Sequence, residues 1–345
     1  MTALKSRALA ASPQVSFKTQ VGLRRWSKWT CGATLFLIFA GSLVTSTGSG
    51  LAVPDWPLSY GMVFPPMVGG VFYEHGHRMV ASTVGLMTLI QAVWLGIAET
   101  RSWVKKLGFF ALGAVILQGV LGGITVLFFL PTAVSVIHGI LAQTFFILTI
   151  LIAYGQSIER RKREDAREET PVRLVKLSVG MAALIYIQLI IGALMRHTHS
   201  GLAIPDFPTM GGFMFPHFDD IMLQRINDMR FYMNLDPVTI GQVAIHFVHR
   251  VFALLIVIYL GVFTWLSLKS KLEDKTILMT IFFLNALIVV QVFLGIFTVL
   301  SAKAPYLTSF HVVCGAATLG MSVLLALRMS PLKYYEWRSV LGLTP

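Results

Sequence analysis

The chain reads as an all-α integral membrane protein, with eight transmembrane helices arranged as two parallel four-helix-bundle repeats. Three observations carry this. The 345 residues are 55% hydrophobic and only 13% charged, about half the charged share of an ordinary soluble chain. Apolar runs of about 20 residues recur along the chain, the length that crosses a bilayer as helix. A set of residues also appears twice, in the same order.

The apolar runs predict spans at 29–47, 73–97, 104–128, 133–156, 174–195, 239–267, 276–300 and 306–328. The Lys and Arg residues then sort into alternate connections. Lys5 to Lys28 lie in the N-terminal tail, and Arg101, Lys105 and Lys106 in the second connection. Arg160 to Lys176 lie in the fourth, Lys269 to Lys275 in the sixth, and Arg328, Lys333 and Arg338 in the C-terminal tail. The other connections hold only Arg225, Arg230 and Lys303, with Arg196 at an edge. The positive-inside rule therefore places both termini in the cytoplasm and the connections around 48–72 and 197–238 outside. This sorting accounts for the net charge of +12, so the partner it implies is membrane lipid and not nucleic acid.

These spans divide the chain into a basic cytoplasmic tail (1–28), an N-terminal half (29–157), a cytoplasmic linker (158–173), a C-terminal half (174–328) and a second tail (329–345). Residues 1–28 lack the apolar core and cleavage site of a secretory signal. A bacterial cytoplasmic tail is preferred over a mitochondrial presequence of similar composition. Cys31 and Cys314 are too few for a thiolate metal centre.

The repeat is explicit. Gly41 to Pro57 aligns with Gly192 to Pro208, sharing Ser-Gly-Leu-Ala-x-Pro-Asp-(Trp/Phe)-Pro. Glu74-x-x-His77-Arg78 then matches His246-x-x-His249-Arg250. Gln118, Gly122 and Thr125 match Gln291, Gly295 and Thr298, and His138 matches His311. An insertion within 209–238 separates the two registers, and no role for it can be derived. Both halves start on the same side, so they are parallel repeats.

Imidazole and guanidinium groups are costly at membrane depth and call for a function. His77 and His138 start from the outer side on spans 2 and 4, so they fall at similar depth; His249 and His311 do the same in the second half. Two imidazoles on facing helices of a bundle suit axial ligation of a haem iron. Arg78 and Arg250 suit haem propionates, because guanidinium binds carboxylate in a bidentate fashion. Gly76, Gly122, Gly123, Gly139 and Gly295 would let a flat ring or a helix approach. A packing role is the bland alternative for any one histidine, and zinc lacks a third ligand in either pair. His75 falls off the Glu74–His77 face; His197, His199 and His217 read as loop residues. His246 either lines the second pocket or hydrogen-bonds within it. Glu74, whose counterpart is His246, is either a functional acid or a cap on the helix dipole. The shared loop is either a lid or an interfacial anchor through Trp56 and Phe207.

Together, Glu74-x-x-His77-Arg78, His138, His249-Arg250, His311 and the Gly-Leu-Ala-x-Pro-Asp-Trp-Pro loop resemble the haem A synthase family, over about residues 30–328. The resemblance implies oxidation of the C8 methyl of haem O to a formyl group, giving haem A for cytochrome c oxidase. It implies that His249 and His311 are axial ligands of a haem b cofactor, with Arg250 beside them. His77, His138 and Arg78 would face the substrate haem O, and Glu74 would be the catalytic carboxylate. It implies haem O synthase and cytochrome oxidase assembly factors as partners and is compatible with a homo-oligomer; a bacterial cell membrane is preferred over the mitochondrial inner membrane on the reading of the N-terminal tail. Some relatives carry a cysteine pair in the first outer loop; here Val53 and Ser59 stand in that loop, which has no cysteine. The alternative is a di-haem electron-transfer protein of quinol-oxidising type, which would share the four histidines but have no need of Glu74.

Overall fold

The computed structural model describes residues 17–166 and 170–330. Within them lie ten α-helices: α1 (Phe17–Ser46), α2 (Gly70–Ala98), α3 (Ser102–Leu127), α4 (Thr132–Gly155), α5 (Ile158–Ala166), α6 (Val172–His197), α7 (Asp220–Tyr232), α8 (Ile240–Lys269), α9 (Lys275–Leu300) and α10 (Pro305–Met329). All but α5 and α7 are long and apolar enough to cross a membrane, giving eight spans where the sequence expects eight. β-pairing among the described residues is limited to the isolated bridges Ser59–Met62 and Met210–Phe213, one in each large loop.

The helices pack as two rings. In the first, α1 lies on α2, α2 on α3, α3 on α4, and α4 returns to α1. In the second, α6 lies on α8 and α10, and α9 on α10, while α8 and α9 touch over only a short stretch. Four helices, α1, α4, α6 and α10, form the seam between the rings. Ile38, Phe146, Ile150 and Ala316 are buried along it. Close approach there depends on Gly320 of α10, where an added Cβ would lie 2.9 Å from the Phe146 ring.

Two helices depart from the expected boundaries. The first begins at Phe17, inside the stretch read as a tail, because apolar residues among the basic ones pack on α2. Leu23 is buried, Gly22 lies under Trp94, and Trp26 Nε1 donates to the Met87 carbonyl at 3.0 Å. The polar stretch read as a linker contains α5, whose Glu159 accepts from Arg328 of α10 at 2.8 Å and whose Arg163 meets Asp274 at 2.6 Å. Asp274 in turn caps α9 by accepting from the Thr276 and Ile277 amides. The second tail, beyond Ser330, lies outside the described residues.

A second polar clamp closes the basic end of the first ring. Glu99, just past α2, accepts from Arg101 Nε, Arg101 Nη2 and Gln156 Nε2 at 3.0, 2.9 and 2.6 Å. Burial alone would raise this carboxyl, but the Arg101 and Gln156 bonds outweigh it and hold Glu99 at about 2. A depressed carboxylate contributes stability above its free value, 4.5, and loses it as pH falls toward about 2. Glu99→Gln is therefore expected to lower the Tm of the detergent-solubilised protein at pH 7, with the gap from wild type narrowing as the pH drops below 4.5. A gap that stays constant across that range contradicts this reading.

Candidate functional site

The two large loops are held by the same set of bonds. In the first, Arg78 Nη1 donates to the Asp55 and Leu58 carbonyls, both at 2.7 Å, and Nη2 to the Val53 carbonyl at 3.2 Å. The Asp55 carboxylate accepts from the Tyr60 and Gly61 amides at 2.6 and 2.8 Å. In the second, Arg250 Nη2 donates to the Ile204 and Asp206 carbonyls at 3.0 and 2.8 Å, and Nη1 to Thr209 at 3.2 Å. Asp206 accepts from the Gly211 and Gly212 amides, both at 2.8 Å. The amide of Gly61 above all, helped by that of Tyr60, outweighs desolvation and holds the Asp55 carboxyl below its ordinary value. Burial would raise Asp206, but the Thr209 side chain and the two glycine amides bring it down.

The sequence suggests Arg78 and Arg250 for haem propionates. The structure directs their terminal N–H groups at the loops, because carbonyls folded over a membrane helix need donors. Each loop is therefore anchored to the helix that carries its histidine.

Glu74 and His246 occupy matching slots beneath the loops, and both are buried. Glu74 Oε2 accepts from the Val53 amide at 2.8 Å and Oε1 from Arg78 Nη2 at 2.7 Å. His246 Nδ1 accepts from the Ile204 amide at 3.1 Å, and Nε2 faces Arg250 Nε at 3.3 Å. The alternatives left by the sequence are narrowed here: both side chains fasten the loop, and Glu74 adds a carboxylate to the first half only. His75, expected off this face, is buried with Nδ1 2.7 Å from Ser59 Oγ. It is a third fastening that the sequence reading missed, although Ser59 lies in the motif loop.

The four histidines share one arrangement: each ring lies against a glycine of the preceding long helix. A Cβ at Gly41 would stand 2.9 Å from His77 Cε1, and one at Gly122 would stand 3.5 Å from His138 Cε1. The values for Gly192 with His249 and Gly295 with His311 are 3.4 and 3.1 Å. Two of these glycines, Gly122 and Gly295, are among those expected to matter. Gly41 and Gly192 begin the aligned repeat, and that alignment is the signal that could have found them. Gly76 and Gly139 face Met67 and Ala193 instead, and Gly123 takes the Trp56 ring at 2.8 Å from its would-be Cβ.

The rings of His249 and His311 are 6.5 Å apart, centre to centre, at 70° to one another. Two metal–imidazole bonds of about 2 Å, plus about 1 Å from each nitrogen to its ring centre, span roughly 6 Å. One iron between the two rings therefore fits. Nδ1 of His77, His138 and His311 is buried without a hydrogen-bond partner, while Gln188 Nε2 approaches the His249 ring at 3.3 Å. His77 lies within electrostatic reach of His138. No cluster of three His, Cys, Asp or Glu residues suited to a metal occurs among the described residues. A pair of imidazoles suits a metal that brings its own equatorial ligands, as haem iron does.

The other histidines stand apart from these pairs. His217 packs edge-on against Phe213, and His199 has a left-handed backbone with φ of 56°. His197, at the end of α6, lies within reach of Arg196 and His138.

Fold and site together define a multi-pass helical membrane protein with an imidazole pair near the loop end of each half. Comparison with known proteins agrees. The family model COX15-CtaA, described as cytochrome oxidase assembly protein, matches residues 68–323, and the chain belongs to that family. It is 28% identical to the haem A synthase of Halalkalibacterium halodurans, over 80% of this chain and 87% of that one. Against the haem A synthase of Lysinibacillus sphaericus it is 25% identical, over 80% and 86%. Against that of Alkalihalophilus pseudofirmus the identity is 29%, over 69% and 74%.

If Asp55 tethers the loop, Asp55→Asn should speed hydrogen exchange at the Tyr60 and Gly61 amides several-fold and leave the spans protected, as measured by mass spectrometry. Unchanged exchange at both amides rules the tether out.

Proposed function

We propose that this chain is a haem A synthase, oxidising the C8 methyl of haem O to a formyl group and so supplying haem A for cytochrome c oxidase. The observation that carries the reading is a pair of two-histidine sites in a chain that belongs to this family. His249 and His311 are proposed as axial ligands of a resident haem b, and His77 and His138 as the residues facing the substrate haem O. When bound, haem b supplies one-electron chemistry.

The remaining work falls to the chain's own residues. Glu74 is the catalytic carboxylate in this proposal. It stands one turn before His77, and Arg78 and the Val53 amide fix its two oxygens. A fixed negative charge beside the reacting methyl stabilises positive charge developing there, without reorganisation during the step. The first loop, fastened through Arg78, Glu74 and His75, covers the site and limits water. Trp56, seated on Gly123 one residue from the glycine that backs His138, forms part of that cover. Arg78 and Arg250 act on their haems through the loops they hold.

The Glu74–His246 difference supports the division into an N-terminal substrate half and a C-terminal cofactor half. The positive-inside rule puts both termini in the cytoplasm and both sites on the outer side of a bacterial cell membrane. Haem O synthase is the proposed donor of substrate, and cytochrome oxidase assembly factors are the proposed recipients of product.

The test is haem extraction and mass analysis of cells that make haem O, with and without this chain. Haem A, or its hydroxylated precursor, should appear only with it. Glu74→Ala should retain bis-histidine haem absorbance yet yield little haem A. Unchanged haem O, from a purified protein carrying two bis-histidine haems b, would contradict the synthase reading.

A further inference from the structure

Each of the four paired histidines lies against a glycine, and in three cases a glutamine stands four residues before that glycine. The segments are Gln118-x-x-x-Gly122, Gln188-x-x-x-Gly192 and Gln291-x-x-x-Gly295; the fourth is Leu37-x-x-x-Gly41. Residues four apart share one face of a helix, so the glycine admits the ring and the residue one turn earlier meets the same neighbouring helix. Gln118 Nε2 donates to the His138 carbonyl at 2.9 Å. Gln188 Nε2 donates to the His249 carbonyl at 3.0 Å and also lies 3.3 Å from Nδ1 of the His249 ring. Gln291 Nε2 stands 3.0 Å from a would-be Cβ on Gly315, at the end of the helical turn that His311 begins. The histidines of the second half thus both have a glutamine against their own turn of helix. In the first half only His138 does.

Leu37 and Gln188 correspond in the repeat, just as Gly41 and Gly192 do. Leu37 packs with Val80 against the apolar cluster that contains Val84, on the helix that carries His77. An apolar side chain therefore fills this place without difficulty. The glutamines are the costly choice, because Oε1 of Gln118, Gln188 and Gln291 is buried without a hydrogen-bond partner. Packing alone favours leucine, so the amide at Gln188 has a task beyond filling space. Its bond runs between two membrane helices and ends on the residue whose ring must be held, while the Leu37 contact is dispersion only.

We propose that Gln188 is a positioning residue that clamps His249 and makes the C-terminal haem resident, and that Leu37, at the same place in the first half, leaves His77 unclamped so that its haem can exchange. This rests on the haem reading given above. It explains how two halves with matching histidine pairs keep one haem and turn over the other.

The test loads the purified chain with protohaem, adds excess apomyoglobin as acceptor, and follows haem loss by Soret absorbance. Wild type should release haem in two phases, and loss of the fast phase in His77→Ala assigns that phase to the first half. Groups that orient a metal ligand are worth about 10–100-fold in affinity, so Gln188→Leu should speed the slow phase about tenfold or more and leave the fast phase alone. Gln188→Met, which keeps the volume and removes the amide, should do the same. The midpoint potential of the slowly released haem should shift in both variants, because contacts to an axial imidazole tune the iron. Leu37→Gln should slow the fast phase by a similar factor. An unchanged slow phase in both Gln188 variants overturns the clamp. So does equal acceleration of both phases, which marks a general loosening, or a faster slow phase with an unmoved potential, which marks a packing contact. A fast phase unchanged in Leu37→Gln, with Gln188→Leu behaving as expected, overturns the part assigned to Leu37. A wild type that takes up no protohaem brings down the haem reading itself, and this inference with it.

Discussion

The molecule depends on one kind of bond: an arginine, one residue beyond a histidine, donating to the backbone of the loop above it. Arg78 and Arg250 each gather carbonyls from a segment that would otherwise present bare peptide groups near a bilayer. The same contact fixes the loop, the start of the helix and the face on which the histidine emerges. Asp55 and Asp206 complete it by collecting amides from the far side of each loop. Neither arginine is free of these bonds, and that decides what else it can do.

Against so much matching, the differences stand out. A carboxylate occupies the slot in the first half and an imidazole the slot in the second, under equivalent backbone. Gly123 admits Trp56 against α3, whereas its counterpart Ile296 carries a branched side chain, and Phe207 lies under Arg250 instead. The second ring is also looser between α8 and α9. One half is closed around a charged group, and the other is more open and has no acid in that slot.

Much of this was legible in the sequence, for identifiable reasons. Hydropathy reports span length directly, so all eight spans were readable, and the duplicated motifs marked the four histidines before any coordinates. What stayed hidden needed depth and rotation. The glycines behind His77 and His249 lie on a different helix from their rings, so the repeat alignment marks Gly41 and Gly192 as a matched pair but does not say which side chain they face. The engagement of Arg78 and Arg250 with backbone was invisible because carbonyls have no letter in a sequence. The helical start at Phe17 was masked by charges that lie between the apolar residues packing on α2. The insertion within 209–238 proved to hold α7, whose Met222 and Ile226 bury against the second loop, so it builds out that loop from the inside.

The seam has a consequence for how the halves communicate. Ser309 lies two residues before His311 on α10, and it shares the Ser46 hydroxyl with Arg196. A shift of α10 that accompanies a change at His311 therefore pulls on the Ser46 hydroxyl of α1, which α6 also holds through Arg196, and α1 carries the glycine behind His77. Any free energy passed along that route is reciprocal: filling either pocket alters the affinity of the other by the same factor. The duplicated halves thus meet at one polar node, where α1, α6 and α10 are tied through Ser46, Ser309 and Arg196.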